Sequence, residues 1–221
     1  MEIWLDTADL ALIETAKQMG ILYGVTTNPS IVAKSNESVE DLLTKLLKIQ
    51  SGPVTVQVTA KDGAQMAAQG EALFRFSDRL VVKVPVTTEG LKAIHALREK
   101  KIPTMATAVF DSNQVLLAAS AGASYIAAYF SAICEADMEG AEQFKSMHRM
   151  LDRYRFPSKL LGASLKSADQ VRQCAELGAH AVTLNREVFL SFIENHPETT
   201  KRVDQFTKDW KTAKTGRNLI L

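Results

Sequence analysis

The feature that most constrains this fold is a recurrence. Eight short apolar runs alternate with helical patterns from one end of the chain to the other. The runs cover 3–6, 24–27, 54–58, 80–84, 103–108, 125–130, 160–164 and 181–184. They are rich in Val, Ile, Leu and Ala and nearly continuous rather than alternating, as parallel strands covered on both faces are. Eight repeats in 221 residues leave about 27 residues per unit, enough for a strand, a helix and two short connections. Such units lay down a parallel sheet, and eight of them close it. The prediction is an α/β fold, a (β/α)8 TIM barrel forming one domain over 1–221, with 198–221 as an extra C-terminal helix and tail. An open doubly wound sheet is the alternative. It would usually carry a phosphate loop after an early strand, and neither GxGxxG nor GxxxxGK[ST] occurs.

Helix boundaries are written in the polar residues. Ser38-Val-Glu-Asp41, Asp111-Ser-Asn-Gln114 and Ser167-Ala-Asp-Gln170 each put a short acceptor side chain before an apolar helical run. Gly178 is a helix stop. Composition then narrows the function. Lys+Arg number 26 against 25 Asp+Glu, a formal charge of +1, which argues against a nucleic-acid or membrane-surface partner. No run reaches the ~20 apolar residues of a membrane span, and the acidic start MEIWLDTADL lacks the basic and apolar regions of a secretion signal. Cys134 and Cys174 match no metal spacing and are too few for a disulfide framework. No metal site is expected from the four histidines, and a cytoplasmic location is.

A barrel enzyme builds its site at the C-terminal ends of its strands. Those ends carry Asp6; Thr26, Thr27 and Asn28; Gln57; Lys83; Thr107; Tyr129; Ser164; and Asn185 with Arg186. Lys83 lies inside the apolar run Leu80-Val-Val-Lys-Val-Pro85. Desolvation there lowers an amine's pKa, and a neutral amine attacks carbonyls to form a Schiff base. A snorkelling edge lysine is the alternative. Asp6 alone could cap the next helix, Asn28-Pro29-Ser30 could be a turn and helix start, and Thr107 and Tyr129 fit a strand without any function.

Together these residues carry a resemblance that spans essentially the whole chain. Leu5-Asp-Thr7, Gly24-Val-Thr-Thr-Asn-Pro-Ser30, Val81-Val-Lys-Val-Pro-Val-Thr87, Thr107-Ala-Val109, Ala163-Ser164 with Lys166, and Phe206, Asp209-Trp210 and Gly216-Arg217 resemble the short branch of the transaldolase family, on its aldolase side. The resemblance implies class I aldol chemistry without metal or cofactor. Its substrate would be a sugar or sugar phosphate: a ketose such as fructose 6-phosphate, cleaved reversibly to dihydroxyacetone and an aldehyde such as glyceraldehyde 3-phosphate. It makes Lys83 the Schiff-base lysine. Asp6 and Asn28 would bind substrate hydroxyls and help move protons, with Thr26 beside them. Gln57, Thr107 and Tyr129 would hold a catalytic water. True transaldolases have Glu and Phe in place of Gln57 and Tyr129, and tend to have Asn and Ser in place of Met105 and Ala127. A transaldolase moving a dihydroxyacetone unit between sugar phosphates, or an aldolase for an unphosphorylated acceptor, is the alternative. The resemblance also implies a homo-oligomeric ring, such as a pentamer or decamer, with the C-terminal helix packed on a neighbour.

One position departs from the pattern. Ala132 stands where the resemblance expects a phosphate-binding arginine, while Ser164, the other expected phosphate contact, remains. Hydrogen bonds to a charged group contribute ~1.5–3 kcal/mol, so phosphate affinity would fall by roughly one to two decades. Arg186 or Lys166 is the candidate replacement.

Overall fold

The computed structural model describes residues 1–136 and 139–212. Eight strands form a closed parallel barrel in chain order: β1 (Glu2–Asp6), β2 (Gly24–Thr26), β3 (Val54–Gln57), β4 (Leu80–Pro85), β5 (Thr104–Val109), β6 (Tyr125–Tyr129), β7 (Lys159–Ala163) and β8 (Ala181–Leu184), which pairs back onto β1. Each lies on an expected apolar run. Around them run α1 (Leu10–Gln18), α2 (Pro29–Lys34), α3 (Val39–Ile49), α4 (Gly63–Phe76), α5 (Thr88–Glu99), α6 (Ser112–Ala121), α7 (Phe130–Ala136), α8 (Gly140–Arg153), α9 (Ala168–Glu176), α10 (Arg186–Phe192) and α11 (Pro197–Thr212). The barrel with its extra C-terminal helix is the fold expected from the sequence.

The helices begin where the polar residues say. Ser38, Asp111 and Ser167 each accept a backbone N–H from the third residue of their helix. Gly178 turns the chain out of α9 at φ +94°. Strand residues alternate between two cores. The outward set, including Leu5, Val25, Val82, Ala106, Ile126 and Val182, packs beneath the helices. The inward set is Trp4, Val81, Met105, Tyr125, Ala127, Leu161, Ala163 and Ala181.

The inward set fills the N-terminal part of the barrel interior with apolar side chains. Trp4 is fully buried and crosses the interior near its N-terminal end. Gly24 makes room for it: a Cβ there would lie 2.7 Å from the indole. Beside Trp4, its indole N–H donates to Glu2, Glu2 pairs with Lys159, and Lys159 lies over the ring of Tyr125. Towards the other end the inward positions turn polar.

Among the described residues no helix is long and apolar enough to cross a membrane. The tail from 213 onward, including Gly216 and Arg217 of the resemblance, lies outside the described residues.

Candidate active site

The site is assembled by strand order. Pairing of β3, β4 and β5 sets Gln57, Lys83 and Met105 side by side at one level. Lys83 is 5% exposed, so the snorkelling alternative fails: its head is not in water. Nζ donates to the carbonyl of Thr27 at 3.1 Å. That carbonyl is held by Thr27 itself, whose hydroxyl donates to the Thr55 carbonyl at 2.6 Å and whose N–H donates to the Thr55 hydroxyl at 3.1 Å. Burial pushes the Lys83 pKa below its ordinary 10.5, and the Asp6 carboxylate acts against that shift.

Asp6 ends β1 facing this amine. Its Oδ1 accepts from the Thr26 hydroxyl at 2.7 Å, and that hydroxyl also meets the Thr183 hydroxyl at 2.7 Å. Asp6 is not the cap of α1. Asp9 is, accepting from Ala11 and Leu12 N–H groups, which leaves Asp6 to the barrel interior. Asn28 serves both of its readings at once. Its Oδ1 caps α2 by accepting from the Ile31 N–H at 3.0 Å, which turns its Nδ2 towards Asp6 Oδ2 at 3.5 Å. The helix start therefore aims the amide.

Across the mouth, the Thr107 and Tyr129 hydroxyls are 3.4 Å apart. Phe110 packs edge-on against the Tyr129 ring, with centroids 5.2 Å apart. Met105 and Ala127 are buried in the inward core beneath them. Gln57, on β3, sits on the other side of β4 from β5 and β6, so the three proposed water-holding residues flank the lysine.

The phosphate candidates are placed less simply. Ser164 is exposed just past β7 in the left-handed region, φ +58°, where a side chain is strained. Lys166 pairs with Glu135, and Arg186 pairs with Asp9. Arg186 lines a cavity of about 530 Å³ with Asp6, Asp9, Glu37, Glu187, Lys34 and Lys45, four carboxylates against three cations. Either cation would share its donors between its carboxylate and a phosphate. Ala132 is half-buried on α7.

The sequence reading missed Thr183. Ala-Val-Thr-Leu looks like plain strand sequence, but Val182 and Leu184 belong to the outer core, so the residue between them must face inward. It also missed Phe110, which the local geometry of β5 turns inward.

Fold and site together define a (β/α)8 barrel with a desolvated lysine, backed by a carboxylate, towards the C-terminal end of its strands. The chain belongs to the transaldolase/fructose-6-phosphate aldolase family, whose model matches residues 3–218. It is 38% identical to a "Probable transaldolase" of Geobacillus kaustophilus, over 97% of this chain and all of that one. A "Probable transaldolase" of Maricaulis maris is 37% identical over the full length of both. Among solved structures, the barrel is similar to a mandelate oxidase mutant (TM-score 0.56, 15% identity, covering 83% of this chain and 63% of that one). At that identity the likeness concerns the fold alone.

Proposed function

We propose that Lys83 forms a Schiff base with the carbonyl of a ketose and holds its three-carbon dihydroxyacetone unit as an enamine. The observation that carries this reading is the amine itself: buried, lowered in pKa and faced by Asp6 on the next-but-two strand. Neutral Nζ attacks the ketone, and loss of water leaves an iminium, an electron sink beside the bond to be broken. Asp6, oriented by Thr26 and Asn28, takes the proton of the hydroxyl on the far carbon of that bond. The carbon–carbon bond breaks, its electrons flow into the iminium, and an aldehyde leaves.

The fate of the enamine divides two readings. Transfer to a second aldehyde, the transaldolase reaction, is favoured by the relatives, which carry the name transaldolase over their whole length. Release by protonation and hydrolysis, the aldolase reaction, is favoured by the Thr107–Tyr129 hydroxyl pair, because a phenol can hand a proton to a nearby water and a phenylalanine cannot.

Borohydride trapping tests the chemistry common to both. With dihydroxyacetone, hydroxyacetone or fructose 6-phosphate, peptide mass spectrometry is expected to find the reduced adduct on Lys83. No adduct there from any donor would overturn the reading. Fructose 6-phosphate with a second aldose phosphate then separates the two fates. A new ketose phosphate without free dihydroxyacetone means transfer, and free dihydroxyacetone means release.

A further inference from the structure

We infer that Phe110 is a positioning residue for Tyr129, brought into the mouth by a bulge in β5; the inference rests on the proton role of Tyr129 proposed above. Along a regular strand, side chains alternate, so Thr107 and Val109 would share a face and Phe110 would point away from them. The observed pairing breaks that rule. Ala106 is opposite Ile126 and Val109 is opposite Ala128, so β5 advances three residues while β6 advances two. The extra residue sits in the left-handed region at Ala108, φ +56°.

The consequence is a change of parity. Ala106 and Val109 both lie in the outer core beneath the helices. Thr107 faces inward, where its hydroxyl meets Tyr129. Phe110, one past Val109, therefore also turns to the inner side and lays its ring against the Tyr129 ring. A clamp holds it there. The Phe110 N–H donates to Gln114 Oε1 at 2.7 Å, and Asp111 caps the same helix, α6. Phe110 is 46% exposed, although a large apolar side chain with no partner gains little at such a place. Its contact with Tyr129 accounts for the position. Edge-to-face packing restrains the plane of the phenol, with its oxygen 3.4 Å from the Thr107 hydroxyl.

The test separates proton transfer from Schiff-base formation. With hydroxyacetone in D2O, the Lys83 iminium loses a proton from the carbon next to it, becomes the enamine, and takes a deuteron back. Proton NMR reads that exchange, and borohydride trapping reads the adduct. Phe110→Ala is expected to lower exchange roughly three- to tenfold, the size of an aromatic pair contact expressed as a rate. The trapped Lys83 adduct should stay at its wild-type level. Phe110→Tyr keeps the ring and should stay within about twofold of wild type. Exchange at the wild-type rate in Phe110→Ala, while Tyr129→Phe is slowed, would overturn the positioning role alone. So would an equal fall of adduct and exchange in both Phe110→Ala and Phe110→Leu, which would make the residue merely structural. Wild-type exchange in Tyr129→Phe would remove the underlying proton role, and the inference with it.

Discussion

An amine held among strands is a weaker base than one in water, and its cost to the fold follows from the same fact. Lys83 has a folded-state pKa below 10.5, so the unfolded chain binds its proton more readily between those two values. Below that window the cost of the buried charge is fully present, and stability rises as pH climbs through the window towards 10.5. Lys83→Met, which keeps the stem and drops the charge, should be more stable than wild type at neutral pH by about 1–3 kcal/mol and lose the alkaline rise, as melting curves against pH will show. Activity obeys the same titration. The rate of adduct formation should increase with pH around the lowered pKa. Asp6 acts to raise that pKa, so Asp6→Asn should move the limb to lower pH while slowing carbon–carbon cleavage. At this scale the sequence was informative wherever a residue broke its local pattern. A lysine inside Leu-Val-Val-Lys-Val-Pro is visible without coordinates, and so is an asparagine before a proline. Ala108 was not legible. Thr-Ala-Val reads as ordinary strand, and no glycine marks the left-handed residue that turns Phe110 inward.

Strands and helices translate such residues into position, and the contact of α8 with the start of β8 is a place where this has a pH dependence. His180 accepts the Leu160 N–H on Nδ1 at 3.0 Å, and its ring lies 5.1 Å from that of His148 on α8. Burial holds the His180 pKa below 6.5, with His148 and Lys159 adding to the shift and Glu2 and Asp152 opposing it. A proton on Nδ1 would also end the bond from Leu160. The folded state thus binds this proton less readily than the unfolded chain. The stability is present above pH 6.5 and is lost as pH falls from there through the lowered pKa. His180→Asn offers an amide oxygen to the same N–H and does not titrate. Its melting temperature should fall less steeply than wild type on acidification below pH 6.5, as calorimetry at several pH values will measure. The strands themselves were legible because burial on both faces writes a continuous apolar run. Their ends were less so. Phe130 continues the apolar run of β6, yet it is the first residue of α7, where it packs on Phe144 of α8. An apolar run carries no mark at the point where its burial passes from strand to helix.

For the whole molecule, the unresolved balance of apolar surface lies on α11. The helix has no buried residue, and Val203, Phe206 and Trp210 are 56%, 64% and 48% exposed. Their spacing of three and four places them on one side of the helix. A stripe of this kind on an otherwise charged helix is the pattern that an apolar partner surface would cover. The expectation drawn from the resemblance, a ring of copies with the C-terminal helix laid on a neighbour, supplies the missing surface with a second copy of the same chain. Sedimentation equilibrium should then give a mass several times the 24.3 kDa of one chain. Phe206→Glu with Trp210→Glu places two charges in the centre of the stripe. The double variant should sediment as a single chain, and its circular dichroism should remain that of the intact barrel, because no core residue is touched. A wild-type protein that sediments at 24.3 kDa would remove the neighbour from the account and leave α11 as a helix that folds on its own polar face. A variant that keeps the wild-type mass would place the contact elsewhere on the barrel.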